Sequence, residues 1–191
     1  MANVMTGNPL YIDTEGIISV LPLCIRKILW QPASTGNATT FTYWVESDAP
    51  VTTFGIRNAQ TVSVTAATNT FVSATNFETD SINVDQIMRV LNTSSGDNIG
   101  YWQIATNAND NTITVDKPAQ VYGQSVTLAD DTSEIYSWRV WDNHSLITIK
   151  GSGITGDTGL VSLDFYDYGY WVPNLAMNTL AASGVVWIYL K

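Results

Sequence analysis

The chain has 191 residues, of which 45% are apolar and only 13% are charged, and it contains seven Trp and nine Tyr. Its formal net charge is −9, from eight basic and seventeen acidic residues. Nucleic acids and acidic membrane surfaces bind clusters of cations, and the densest basic stretch is Arg26-Lys27, so we expect neither as a direct partner.

The sequence predicts a protein made in a reducing cytoplasm. Met1–Gly7 lacks the basic and apolar regions of a signal peptide, and no apolar run approaches the roughly 20 residues that span a bilayer. Cys24 is the only cysteine, so we expect no disulfide within the chain. Its position in an apolar strand favours a buried, inert thiol.

Runs of β-branched and aromatic residues, separated by Asn, Asp, Gly and Ser, predict an all-β protein. In chain order the predicted strands are Leu10–Asp13, Ile17–Val20, Leu23–Trp30, Thr39–Val45, Gln60–Thr65, Thr70–Val72, Gln86–Leu91, Ile99–Ala105, Asn111–Val115, Ser125–Leu128, Tyr136–Val140, Ser145–Lys150, Leu160–Phe165, Tyr170–Val172 and Val185–Leu190. Many short strands with short connections favour antiparallel pairing in a sandwich or barrel.

The central strands predict a three-stranded meander from Gln86 to Val115. Its first strand also carries apolar residues at helix-like spacing, but the Gly and Asn that follow favour a turn into another strand. The turns Ser95–Asn98 and Thr106–Asp110 are rich in residues that tolerate left-handed backbone.

The two ends of the chain predict one domain that an insertion interrupts. If residues 58–136 are set aside, the strands of residues 1–57 and 137–191 make up a coherent small β domain. Such an arrangement is plausible because domains tolerate a module inserted at a loop. We therefore expect a discontinuous, sandwich- or barrel-like outer domain (1–57 and 137–191) that carries an inserted β module (58–136).

Few side chains offer chemistry. The only histidine, His144, lies in Trp141–Ser145, which predicts a hairpin turn. One His and one Cys supply neither a convincing nucleophilic site nor zinc ligands. Acidic pairs such as Asp164 and Asp167 suit turns, although paired glycosidase carboxylates remain an alternative. We expect no enzymatic activity, no cofactor and no metal.

The remaining functional candidate is Phe165–Trp171, which has five aromatics in seven residues. Strand alternation would place Phe165, Asp167 and Gly169 on one face and three tyrosines on the other. That tyrosine face is either an exposed ladder for a protein or glycan, or is covered by the two domains. The glycine-rich loop Gly151–Gly159 is a second candidate for contacts. The predicted contact residues are Tyr166, Tyr168, Tyr170, Trp171, Gly153, Thr155 and Asp157.

Three segments carry a resemblance to a known family. Thr6–Gly16, Ile25–Trp30 and Val186–Lys191 resemble a family of small β proteins encoded by tailed bacteriophages, and the meander from Gln86 to Val115 resembles a small β module of phage virion proteins. These stretches contain no catalytic residue to carry over.

The resemblance implies a structural role in the virion, with capsid decoration or cement as the leading interpretation. The expected partners are the major capsid protein or other virion proteins, together with further copies of the chain in a dimer or trimer. Two alternatives stay open. One is a tail, neck or fibre component, and the other is a carbohydrate-binding module.

Overall fold

The computed structural model describes residues 3–32, 38–45, 57–73, 83–109, 111–116, 121–124, 128–151, 159–180 and 184–191. These residues form antiparallel β-sheets, which confirms the predicted all-β fold.

Fourteen strands and one short 3-10 turn lie in the described part of the chain. The strands are β1 (Leu10–Ile12), β2 (Gly16–Ser19), β3 (Leu23–Gln31), β4 (Ala38–Val45), β5 (Arg57–Thr65), β6 (Thr70–Ser73), β7 (Ile87–Thr93), β8 (Gly100–Asn109), β9 (Thr112–Val115), β10 (Asp131–Lys150), β11 (Val161–Asp164), β12 (Tyr170–Val172), β13 (Leu175–Leu180) and β14 (Val185–Leu190). The 3-10 turn is Tyr166–Tyr168, between β11 and β12.

The chain divides into two compact units. The first, here called the sandwich unit, comprises Met1–Tyr43, Pro118–Ser125 and His144–Lys191, and the second, the barrel unit, comprises Trp44–Lys117 and Val126–Asn143. These junctions differ from the predicted ones at 57/58 and 136/137. The division into an outer domain and an inserted module stays a prediction.

Two sheets form the sandwich unit. In one, β14 lies between β1 and β3, and both β11 and β12 pair with the other edge of β3. The other sheet runs β2-β13-β4 and continues into β10. Both sheets contribute to one core, as facing sheets do in a sandwich. The core side chains are Met5, Leu10, Ile12, Ile18, Leu23, Ile25, Ile28, Trp30, Phe41, Ile149, Val172, Leu175, Met177, Leu180, Val186 and Ile188.

A β-bulge in β3 decides which of its side chains face that core. Tyr189 pairs with Lys27 whereas the next residue of β14 pairs with Ile25, so Arg26 is an extra residue on β3. An extra residue reverses the alternation of faces beyond it. Consequently odd-numbered Leu23 and Ile25 and even-numbered Ile28 and Trp30 are all buried.

The described strands of the barrel unit pair in a closed ring. The order is β10-β5-β6-β9-β8-β7, and β7 pairs back with β10. All six pairings are antiparallel, and closure removes the open edges that a sheet otherwise presents. Alternate side chains fill the interior, namely Val62, Val64, Phe71, Met88, Val90, Trp102, Ile104, Ile113 and Val115, with Leu128 added from a loop.

The predicted meander is confirmed as β7-β8-β9 within this ring. Its first turn uses left-handed backbone at Gly96 (φ +81°) and Asn98 (φ +58°), as the residue types predicted. The second predicted turn, Thr106–Asp110, was placed too early. β8 continues to Asn109, because Thr106 and Asn107 pair with Thr114 and Ile113 of β9.

Two other predictions about strands were wrong. Trp141–Ser145 is not a hairpin turn but part of the continuous strand β10, whose Trp141 still pairs with Ile87 of β7. Strand β13 was not predicted at all. Its sequence, Leu-Ala-Met-Asn-Thr-Leu, has little intrinsic β preference and is held as a strand by pairing with β2 and β4. The predicted strand Ser125–Leu128 lies mostly outside the described residues.

Candidate interaction surface

A tight turn follows β11 and positions the aromatic residues. The Asp164 carboxylate accepts a hydrogen bond from the Tyr166 backbone N–H at 2.7 Å, which is how Asp commonly closes a turn. Tyr166 has a left-handed backbone (φ +57°) and starts the 3-10 turn. Lys191 Nζ donates to the Asp167 backbone oxygen at 2.6 Å. The predicted strand alternation through Phe165–Trp171 is therefore wrong, because a turn interrupts it.

Gly169 allows the chain to return to the sheet after this turn. Its φ of +68° and ψ of 176° belong to a region that essentially only glycine adopts. A Cβ at this position would lie 2.6 Å from Cys24 Sγ and 3.3 Å from the Ile25 backbone oxygen. The glycine thus lets the backbone approach β3 closely, and β12 pairs with β3 immediately afterwards.

The turn holds the aromatic side chains in solvent. We define the aromatic surface as Tyr166, Tyr168, Tyr170 and Trp171, whose side chains are 77%, 88%, 46% and 70% exposed. Of the two outcomes considered from the sequence, the tyrosines are exposed rather than covered. Large aromatic side chains are normally buried, and clusters of exposed ones mark interaction sites.

Tyr170 and Trp171 lie on opposite faces of the sheet. Residues directly opposite each other in an antiparallel pair share a face. Tyr170 pairs with Ile25, which faces the core, and Trp171 pairs with Cys24. Phe165, half-buried, stacks on Tyr170 with a ring-centroid distance of 5.3 Å and an interplanar angle of 25°. The aromatic surface therefore wraps around the edge of the sheet at β12.

The outer face of the same sheet carries more aromatic side chains. Tyr11 of β1 pairs with Trp187 of β14, and their rings meet edge to face at 6.1 Å. Farther along this face a polar hollow of about 300 Å³ is lined by Arg26, Lys27, Asp164 and Tyr189. Two basic residues are thus next to the turn in a chain whose formal net charge is −9.

The other predicted contact residues, Gly153, Thr155 and Asp157, lie outside the described residues. His144 is exposed in β10 and stacks on Tyr43, with ring centroids 5.6 Å apart. Cys24 is buried, as predicted.

Three aspartates, Asp164 among them, accept local hydrogen bonds. Asp164 Oδ1 accepts the Tyr166 N–H, Asp130 Oδ1 accepts the Ala66 N–H at 2.7 Å, and Asp131 Oδ2 accepts the Ser95 hydroxyl at 2.7 Å. Each of these bonds closes a turn or joins two neighbouring segments.

Sequence reasoning found the aromatic residues and assigned Asp164 to a turn, but it missed the role of Gly169. A glycine inside an apparent strand indicates a close backbone approach, and this was the signal available for Gly169. An Asp side chain commonly accepts a hydrogen bond from the backbone two residues farther on, as Asp164 does.

The structure is that of an all-β protein with an exposed aromatic surface on its sandwich unit. No known protein family, curated protein or solved structure matches the chain. In the part of the chain that the structure describes, no three His, Cys, Asp or Glu side chains are grouped to hold a metal ion. Among those same residues, no helix has the length and apolar character to cross a membrane.

Proposed function

We propose that this chain is a non-enzymatic structural protein of a bacteriophage virion, which decorates the assembled capsid by docking its aromatic surface on the major capsid protein. The exposure of Tyr166, Tyr168 and Trp171 carries the proposal. Aromatic residues dominate the energetics of protein interfaces because they bury a large area at low conformational cost. A turn anchored by Asp164 and Gly169 presents them already ordered, which reduces the entropy lost on docking.

The segments that resemble phage proteins support the same proposal. Thr6–Gly16 contains β1, Ile25–Trp30 belongs to β3, and Val186–Lys191 belongs to β14. These three strands are neighbours in one sheet, in the order β1-β14-β3. These three segments therefore form one contiguous part of the sandwich unit, the sheet that bears Trp171, whereas the meander that resembles a phage module is β7-β8-β9 of the barrel unit.

The low charge of the chain also suits a lattice contact. Charged residues make up 13% of the sequence, and interface cores are depleted in charge because burying unpaired ions is costly. Self-association as a dimer or trimer would match the symmetry axes of a capsid, and several weak contacts would then act together. The proposed location of the protein is therefore the virion.

Cosedimentation with capsids stripped of accessory proteins tests this function. We expect the protein to bind saturably, at a fixed ratio to coat protein, and not to bind free coat subunits. Trp171→Ala and Tyr168→Ala should each weaken binding about 30-fold, as hot-spot residues do. The control is Ile99→Ala, which shortens an exposed apolar side chain of the barrel unit.

Failure of the wild-type protein to sediment with capsids would refute decoration. Recovery of the protein in isolated tails would instead support a tail, neck or fibre component.

A second candidate function, carbohydrate binding, is favoured by the polar hollow beside the turn. Arg26, Lys27, Asp164 and Tyr189 offer hydrogen-bonding groups around it. Sugar recognition combines such groups with an aromatic platform, which Trp171 could supply. A glycan array that gives specific signals, lost in Trp171→Ala and accompanied by quenching of Trp fluorescence, would support this function. A blank array would exclude the glycans tested.

A further inference from the structure

A second recess lies on the core side of β12. It is a pocket of about 180 Å³ in the sandwich unit, lined by Ile25, Ile28, Leu146, Ile147, Phe165 and Tyr170. Ile25 and Ile28 come from β3, the next two residues come from β10, and the two aromatics flank the 3-10 turn. The pocket therefore lies between the two sheets, below the inner half of the aromatic surface.

The size of the pocket matches a single six-membered ring. An apolar protein cavity of about 150 Å³ stays dry and binds benzene. A pocket of about 180 Å³ thus holds one phenyl or phenol ring. A bare apolar recess of this size costs stability, because its lining atoms lack van der Waals partners on one side.

The chemistry of the walls selects apolar rings over sugars and charged groups. Among the described residues, the six that line the pocket have aliphatic or aromatic side chains, and the Tyr170 hydroxyl is their only polar side-chain group. A sugar would therefore lose most of its hydrogen bonds to water without replacement. Phe165 and Tyr170, stacked at 5.3 Å, form an aromatic wall. An aromatic ring gains from offset or edge contacts with such a wall in addition to the area that it buries.

The wall is also rigid. The Phe165 N–H donates to the Arg26 backbone oxygen at 2.9 Å, and Tyr170 pairs with Ile25 in the β12–β3 ladder. Between them, Gly169 lies so close to β3 that a Cβ at this position would be 2.6 Å from Cys24 Sγ. Neither aromatic residue has to be ordered when a ligand enters.

We infer that this pocket receives one aromatic ring, presented as a Phe or Tyr side chain by the partner protein that covers the aromatic surface. The inference rests on the proposed function for its partner, but the pocket itself is tested on the isolated protein. The inserted ring would be an additional anchor of the contact, next to the hot-spot residues Tyr168 and Trp171 of the aromatic surface.

The first experiment titrates toluene into the wild-type protein and follows the methyl signals of Ile25, Ile28, Leu146 and Ile147 by NMR. We expect saturable shifts confined to these methyls. Ile147→Trp, which fills the pocket, should weaken toluene binding at least tenfold. Leu160→Trp places the same large side chain at an exposed apolar position of the same unit and should bind toluene as the wild type does. Unmoved methyl signals at saturating toluene would overturn the inference without any variant.

A milder variant tests the aromatic wall. Phe165→Leu keeps the pocket apolar but removes the stacked ring, so toluene should bind about three- to tenfold more weakly. Methylcyclohexane, which has no aromatic ring, should bind Phe165→Leu about as well as it binds the wild type. Equal losses for both probes would show that the wall does not select aromatic rings.

Capsid cosedimentation then tests the source of the ring. Ile147→Trp should lose capsid binding and Leu160→Trp should keep it. If toluene binds in the pocket but Ile147→Trp sediments with capsids normally, the partner does not insert a ring there. If the wild-type protein binds toluene but not capsids, the proposed function and the partner side chain both fail, while the aromatic-ring site stands.

Discussion

Two tryptophans, one in each unit, lie in opposite environments. In the barrel unit, Trp102 is 2% exposed, lies 6.0 Å from the Phe71 ring and donates its indole N–H to the Asn98 backbone oxygen at 3.0 Å. In the sandwich unit, Trp171 is 70% exposed on the outer face of a sheet. The first arrangement stabilises a small closed core. The second contributes little to folding and leaves a large aromatic area free for contact.

Two turns, one in each unit, also differ in whether their side chains are buried or exposed. The loop before β8 is held by a buried side chain. Asn98 accepts a hydrogen bond from the Ala129 backbone N–H at 2.9 Å and donates one to the Ala129 backbone oxygen at 3.1 Å. The turn after β11 is just as firmly held by Asp164 and Lys191, yet its side chains point to solvent. A turn whose backbone is held by hydrogen bonds and whose aromatic side chains are exposed is expected of a preorganised contact site rather than of a loop that only connects two strands.

The largest expected effect on stability comes from replacing Trp102 by alanine, and Trp171→Ala is the comparison. Trp102→Ala should lower the free energy of unfolding by about 3–5 kcal/mol, because it leaves a cavity and an unpaired carbonyl oxygen. Trp171→Ala should change it by no more than about 0.5 kcal/mol, as exposed substitutions do. Urea unfolding followed by circular dichroism measures both. A similar loss of stability in the two variants would contradict the contrast between these two tryptophans.

Glycine substitutions sharpen the comparison at a smaller scale. Gly169→Ala should cost about 2–4 kcal/mol, since the methyl group meets Cys24 Sγ and the backbone lies in a glycine-only region. Gly96→Ala in the barrel unit also has a positive φ, but its Cβ would meet nothing within 4 Å. It should cost only about 1 kcal/mol.

A double variant separates the two causes at Gly169. Replacing Cys24 by Ala removes the sulfur atom and should recover part of the loss in Gly169→Ala, while having no such effect on Gly96→Ala. Thermal unfolding of the wild type, the two single variants and the double variant gives the coupling energy between Cys24 and Gly169, and the same cycle with Gly96→Ala is the control. Strict additivity would mean that the clash with Cys24 does not limit this position.

The sequence predicted most strands, but it could not predict features that depend on neighbouring chain segments. Regular alternation found the barrel strands, because Val62 and Val64 or Ile113 and Val115 follow a period of two. It also predicted β3, but not the bulge at Arg26 that reverses the alternation of faces. It missed β13, whose strand form comes from pairing with β2 and β4. Aromatic density located the candidate surface. The turn that exposes it depends on Asp164, Gly169 and the distant Cys24, which no local pattern brings together.

The smallest expected effect concerns Asp85 in the barrel unit. Burial raises the pKa of its carboxyl above the ordinary value of 3.8, and a hydrogen bond from Gln103 opposes this in part. The folded protein therefore binds this proton more tightly than the unfolded chain does. Consequently this group favours folding at low pH, and its contribution falls as the pH rises from about 3.8 through the raised pKa.

Asp85→Asn should remove the cost of partly burying the charged carboxylate, because the amide is neutral. Asparagine also tolerates the φ of +69° at this position. We expect Asp85→Asn to melt slightly above the wild type at pH 7, of the order of 1 °C, since the residue is largely exposed and solvent screens its charge. The advantage should disappear below pH 3.8, where the wild-type carboxyl is protonated. Asp97→Asn, an exposed change of equal charge in the same unit, serves as the control. An advantage of Asp85→Asn that persists unchanged in acid would mean that the backbone preference of asparagine, and not the desolvated charge, is responsible.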